Sequence, residues 1–350
     1  MTTIYDYLKY YNNIPFEESR FNDIDNLIFS ILVYLPLKNI MNENTYSIQK
    51  IYEKLNQSPD KNKARSLSGV AVEILKVIVE GKRYKNVTFS NYANIVDDKT
   101  QFNALTFRFG KNECYIAFKG TDNSLSGWKE NFELSYKYPV IAQTLAADYL
   151  KQNVKFTDKI VYVGGHSKGG NLAMASVMET DKKTYNKIKT IFNNDGPGFL
   201  KEQFDSDKYQ NIAKKLKNFV PEESTVGILL LNDNYTYIKS SAKGIMQHNP
   251  ATWNCFGPFL INGKLSTPSI KIQQQLNSWN EKNSSENKEL MINKIFDILK
   301  ESGVEYFYQL KNIKYTQLIT MINDAKEIDE ESKMILTNML KGLFIKEKKE

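Results

Sequence analysis

Gly165-His166-Ser167-Lys168-Gly169 sets a serine between two glycines at the spacing G-x-S-x-G. A serine hydroxyl is a poor nucleophile at neutral pH and attacks a carbonyl only with a base beside it. Small residues two before and two after it are what a sharp strand-to-helix turn requires, since larger ones collide with the helix and the neighbouring strand. Such a turn exposes the serine oxygen above the sheet edge. It also sets the backbone N–H of Lys168 at a helix N-terminus, where it can bind an oxyanion. The flanks agree with this: Lys159–Val163 is a short run rich in β-branched residues, and Asn171–Met178 reads as a helix of small residues.

The base must be one of two histidines. His166 is next to the serine, and on a tight elbow its side chain points away from Oγ. His248, in Gln247-His248-Asn249-Pro250, lies downstream in a loop after the last β run. That position satisfies the order Ser, acid, His along the chain. The acid is Asp195 or a rival. Asp195 ends the strand Thr190–Phe192, 28 residues after Ser167, where a carboxylate could hold the His248 tautomer. Glu222, Glu223 and Asp233 compete from one strand later. Phe118-Lys119-Gly120-Thr121-Asp122 ends an earlier strand. Gly120 permits close backbone approach, and the Thr121 N–H could be a second oxyanion donor. Ser126–Phe132, with Trp128, reads equally well as a lid or as an ordinary surface helix.

The elements that must position these residues alternate. Asp23–Leu35, Ser47–Asn56 and Ser68–Glu80 carry helical apolar spacing, and Asn22 or Asp23 can cap the first. Strands follow at Asn86–Phe89, Phe102–Phe109 and Glu113–Phe118, then a helix at Ile141–Leu150. Val226–Leu231 and Tyr235–Lys239 read as strands flanking the turn Asn232-Asp233-Asn234. From about Thr267 the chain is helical again, with apolar spacing at Leu290–Leu299 and Ser332–Leu343. Alternating strands and helices imply an α/β protein with a mostly parallel sheet.

Composition narrows the function. The 350 residues are 41% hydrophobic and 25% charged, which excludes global disorder. The longest apolar run, Leu27–Leu37, is shorter than the roughly 20 residues of a membrane span. The two cysteines, Cys114 and Cys255, have no metal-ligand spacing. The opening lacks the pattern of a secretory signal, so a cytoplasmic protein is expected. The net charge of +7 comes from lysines interleaved with acidic residues. That describes a solvated mixed surface rather than a nucleic-acid stripe, and it permits weak peripheral attraction to an anionic membrane.

Four segments carry a resemblance: Tyr162–Ala173 (YVGGHSKGGNLA), Asn193–Phe199 (NNDGPGF), Val220–Leu229 (VPEESTVGIL) and Lys239–Trp253 (KSSAKGIMQHNPATW). With the opening, they resemble the Mbeg-like family, bacterial α/β-hydrolases of largely uncharacterised function, over about residues 1–258. More distantly, Ala117–Thr121 with Trp128, and GHSKGG, are similar to the fungal-type triacylglycerol lipases. That resemblance implies Ser167 as nucleophile, Thr121 as oxyanion residue and His248 as base. Those lipases place an aspartate just before a Val-Pro; here Asn218-Phe219 precedes Val220-Pro221, which makes Asp195 the natural substitute.

The expectation is therefore an α/β-hydrolase fold. Residues 1–258 would form the lipase-like domain, with a helical segment over about 1–82, and residues 259–350 a C-terminal helical extension. The expected activity is that of a serine hydrolase acting on a small acyl ester or lipid, with no metal or organic cofactor. A catalytically silent binding module, and a thioesterase or peptidase using the same residues, are the alternatives.

Overall fold

The computed structural model describes residues 2–58, 67–121, 124–301, 303, 330 and 333. The expected helix Ser332–Leu343, apart from Lys333, lies outside the described residues. Four helices open the chain: α1 (Ile4–Tyr11), α2 (Asp23–Leu32), α3 (Ile48–Gln57) and α4 (Leu67–Ile78). Asn22 is the residue that caps α2. Its Oδ1 accepts from the Ile24 and Asp25 N–H groups, and Asp25 accepts the Asn22 N–H in return. The helix stops at Leu32 rather than Leu35. Pro36 disfavours helical angles at the residue before it, and Tyr34 and Leu35 tighten into i→i−3 turns. This end matters because it delivers Tyr34 to the site.

Eight strands form one sheet in sequence order: β1 (Thr45–Ser47), β2 (Thr88–Val96), β3 (Gln101–Phe109), β4 (Glu113–Phe118), β5 (Ile160–His166), β6 (Ile188–Asn194), β7 (Leu216–Pro221) and β8 (Tyr235–Ile238). Neighbours are antiparallel up to β4 and parallel from β4 to β8. Helices α5 (Leu125–Glu133), α6 (Ile141–Asn153), α7 (Lys168–Met178), α8 (Lys182–Lys187), α9 (Lys201–Phe204) and α10 (Asp207–Ala213) make the crossovers. This is an α/β-hydrolase fold. A small hairpin follows, β9 (Cys255–Phe256) with β10 (Phe259–Leu260), and then α11 (Thr267–Lys282) and α12 (Ser285–Glu301). Among the described residues, no helix is long and apolar enough to cross a membrane.

One expected strand is overturned. Val226–Leu231 is not a strand, and Tyr235–Ile238 makes no hairpin with it. β8 pairs parallel to β7, with Asn218 opposite Tyr235, and residues 222–234 are the return between them. Parallel neighbours require such a long connection. Leu230 leaves the extended region at φ +62°, and Leu231 bridges only Phe199.

Strand alternation divides the core in two. Tyr115, Tyr162 and Phe192 pack on the face covered by α1, α2 and α4, where the Phe21 ring lies 4.2 Å from that of Tyr162. Ile116, Val163 and Ile191 pack on the opposite face under α6, α7 and α10. Long-range polar ties fasten the first cover. Asn26 and Asn194 exchange side-chain hydrogen bonds of 2.9 and 3.1 Å, and Asn194 Nδ2 also donates to Ser30 Oγ and the Gly165 carbonyl. The Cys255 N–H donates to the Thr2 carbonyl at 3.0 Å, closing the start of the chain onto the hairpin.

Candidate active site

The C-terminal ends of parallel strands share one edge, and every candidate residue follows such an end. Thr121 comes after β4, Ser167 after β5, Asp195 after β6 and His248 after β8. Ser167 holds φ +58° and ψ −133°, a region costly for any residue with a Cβ. A Cβ at Gly165 would lie 2.4 Å from the backbone of Gly169, and one at Gly169 would lie 2.1 Å from the Phe118 carbonyl oxygen. The two glycines therefore let the elbow close against β4. The Ser167 N–H is fixed by the Asn194 carbonyl at 3.0 Å.

Asp195 follows Asn194 at φ +54°, an angle that aspartate tolerates better than most residues. It is fully buried. Its Oδ2 lies 2.6 Å from His248 Nδ1, and its Oδ1 accepts from Ser224 Oγ at 2.5 Å and the Gly227 N–H at 3.0 Å. The return between β7 and β8 thus supplies the donors that make a buried carboxylate tolerable. The rivals sit elsewhere: Glu222 accepts from the Lys264 N–H, Glu223 from the Gly244 N–H, and Asp233 from the Asn234 N–H. With Nδ1 on Asp195, Nε2 is the nitrogen of His248 left for a serine proton. Among the described residues, no hydrogen bond joins Ser167 Oγ to His248, and a long contact without substrate does not exclude a base.

His166 is buried, and both ring nitrogens are engaged away from the Asp195 carboxylate. Its Nε2 lies 2.7 Å from the His248 carbonyl, and its Nδ1 lies 3.1 Å from Tyr34 Oη. A carbonyl only accepts, so Nε2 carries the proton and Nδ1 accepts from Tyr34. Tyr34 Oη in turn accepts the Gly120 N–H at 2.9 Å. Burial, and then the nearby His248, push the His166 ring well below the ordinary histidine range, which keeps it neutral.

Lys168 follows the serine, and Thr121 lines the same cavity. Phe118 is in register with Gly165, so Lys119–Thr121 runs beside the elbow. The Lys168 amide opens α7, where the helix dipole favours negative charge. The Lys168 side chain is turned inward, 0% exposed, with Nζ 2.9 Å from Glu130 Oε2 and 2.7 Å from the Gln101 carbonyl. Glu130, on α5, also accepts from Thr100 Oγ1 and the Ala142 N–H. Asn131, one residue on, donates to Thr121 Oγ1. Ser126–Phe132 is thus helical and is pinned to the elbow.

Residues 78–297 match the Mbeg1-like family. The chain belongs to the Mbeg1-like family. A search of the curated proteins finds no match. Among solved structures, the crystal structure of M37 lipase is similar at 14% identity and a TM-score of 0.34, over 58% of this chain and 68% of that one.

The Mbeg1-like match runs past the 258 at which the motif resemblance fades, and it takes in α11 and nearly all of α12. Both helices reach the site. Ser167, His248, Thr121 and Lys168 open onto one cavity of about 880 Å³. Trp128 and Phe132 of α5 contribute to its walls, as do Leu229 and Leu230 of the β7–β8 return. Several site residues carry no sequence signal on their own. Tyr34 lies 132 residues before His166, and Glu130 lies 38 before Lys168. Asn194 had one: an amide pair, Asn193-Asn194, in a strand buried on both faces is a polar network in waiting.

Proposed function

We propose that this chain is a serine hydrolase that cleaves a carboxylic ester with an apolar acyl part. The observation that carries this reading is the 2.6 Å contact of Asp195 with His248 Nδ1, at one cavity with a serine held on a strained elbow. Ser167 Oγ attacks the ester carbonyl carbon, and its proton passes to His248 Nε2. Asp195 holds the tautomer and stabilises the imidazolium. The amides of Thr121 and Lys168 donate to the carbonyl oxygen as it becomes an oxyanion. Collapse breaks the bond to the alcohol, which leaves with the proton from His248. Water then gives a proton to His248 and attacks the acyl-enzyme, and the carboxylic acid departs as Ser167 is restored.

A fluorophosphonate probe tests the nucleophile directly. The native chain should be labelled and Ser167→Ala should not. Ser167→Ala and His248→Ala should each lower hydrolysis of short p-nitrophenyl esters by several powers of ten. Absence of labelling in the native chain, or labelling that survives in Ser167→Ala, would overturn the proposal.

A further inference from the structure

The cavity above Ser167 has a wall that the hydrolase sheet does not supply. Leu276 and Trp279 of α11, and Met291 and Ile292 of α12, line it together with the candidate nucleophile and base. All four are apolar and nearly buried. Helix–helix contacts hold this wall in place. The Phe296 ring of α12 meets the Phe132 ring of α5 edge-on at 5.6 Å. Lys288 Nζ, on α12, donates to the Asn280 carbonyl at 2.8 Å and the Ser135 carbonyl at 3.3 Å, and stands 5.6 Å from the Trp279 ring. A buried lysine spent on two backbone carbonyls marks a fixed partition rather than a loose tail.

We infer that α11 and α12 form the tail-binding half of the substrate site, so that the substrate is an ester of a long linear acyl chain. The inference rests on the hydrolase reading for the position of the ester carbonyl. The wall offers side-chain methyl, methylene and ring surface, and among the described residues Asn280 is the one amide side chain that α11 and α12 bring to it. Such a surface recognises CH₂ groups, each worth about 0.8 kcal/mol when buried, or roughly fourfold in binding. A short acyl group would fill only the end at Ser167 and gain nothing from the two helices.

The test uses the full chain and a series of p-nitrophenyl esters from butyrate to palmitate. The kcat/KM of the native chain should climb with chain length, by up to about fourfold per CH₂ while the tail extends along the wall. Met291→Trp and Leu276→Trp place bulk on the wall from different helices. Each should cut kcat/KM for the longer esters tenfold or more, and the loss should grow with acyl-chain length. A flat or falling length series, or an equal loss on butyrate and laurate in both variants, would overturn the inference. A binding arm is independent of catalysis: Ser167→Ala should bind a fluorescent long-chain fatty acid, and adding Met291→Trp or Leu276→Trp should weaken that binding at least tenfold. Fatty-acid affinity unchanged by either tryptophan would overturn the wall even if esters are cleaved. Normal wall-dependent binding with no ester cleavage in the native chain would sink the hydrolase reading alone.

Discussion

His166 Nε2 donates to the backbone carbonyl of His248 at 2.7 Å, so one histidine of this chain holds the other by its main chain. The rings are 4.4 Å apart between centroids. We assign His166 a positioning role: its hydrogen bond holds the 3-10 turn Gly244–His248 that carries the candidate base.

His166→Ala should therefore lower kcat by up to about a hundredfold, the cost of a misplacement of about 1 Å, and change KM little. His166→Gln keeps a side-chain N–H donor and should recover most of the loss. Steady-state kinetics on a short ester checks both. A merely structural role would give equal defects in the two variants.

The same histidine sets a pH dependence of stability. Folded, it stays neutral well below the ordinary histidine value because it is buried beside His248. Unfolded, it takes up a proton below about pH 6.5. The unfolded state then binds more protons, so this contribution is complete above about pH 6.5 and is lost as pH falls, by up to about 1.4 kcal/mol per pH unit. Urea melts between pH 7.5 and 5 should show a shallower decline for His166→Gln than for the native chain. Parallel curves would refute the assignment.

Asp195→Asn fits the left-handed backbone, since asparagine accepts φ +54° as readily as aspartate. It removes the charge that holds the His248 tautomer, and kcat should drop by about four powers of ten with little change in Tm. Glu222→Gln, Glu223→Gln and Asp233→Asn should stay within a few-fold of the native rate. A large loss in one of these three, with Asp195→Asn active, would move the acid.

Lys168→Met leaves Glu130 charged, buried and short of its cation. Loss of one partner of such a pair costs about 3–5 kcal/mol. The shift should appear in the urea midpoint, and Lys168→Met with Glu130→Gln should regain part of it. Fluorophosphonate labelling should persist in the double variant, because the donor assigned at position 168 is the backbone amide. A midpoint unmoved by Lys168→Met would mean that the ion pair bears no structural weight.

The elbow and the alternation of its flanks were legible because they are largely local: the backbone angles at Ser167 and the approach of Gly165 to Gly169 depend on a few adjacent residues. The β7–β8 return was misread for a physical reason. Val226–Leu231 is apolar because Val226, Leu229 and Leu230 line the cavity and Ile228 is buried, and an apolar run looks like a strand whichever way it is buried. Tyr34, Glu130 and the α11–α12 wall are three-dimensional facts. Nothing near Glu130 in sequence announces a lysine 38 residues on. The glycine of Phe118–Thr121 was legible as a close approach, but its partner was not: a Cβ at Gly120 would lie 2.3 Å from Tyr34 Oη, an atom brought from the other cover of the sheet.

The ties Asn26 to Asn194 and Thr2 to Cys255 span 168 and 253 residues. A ribosome delivers the braces first and their partners last. While the chain is being made, α2 has no β4, β5 or β6 to cover Leu27, Ile28 and Ile31, and that apolar stripe faces water until those strands emerge. Contacts of such sequence separation form slowly, and partly made chains of this kind are prone to aggregate. Nascent chains stalled near residue 180 should thus be cut by protease about as fast as unfolded chain, with protection arriving only after Cys255 has cleared the exit tunnel. The serine elbow is complete in sequence by residue 169, yet the chain must be half as long again before the site it serves can exist.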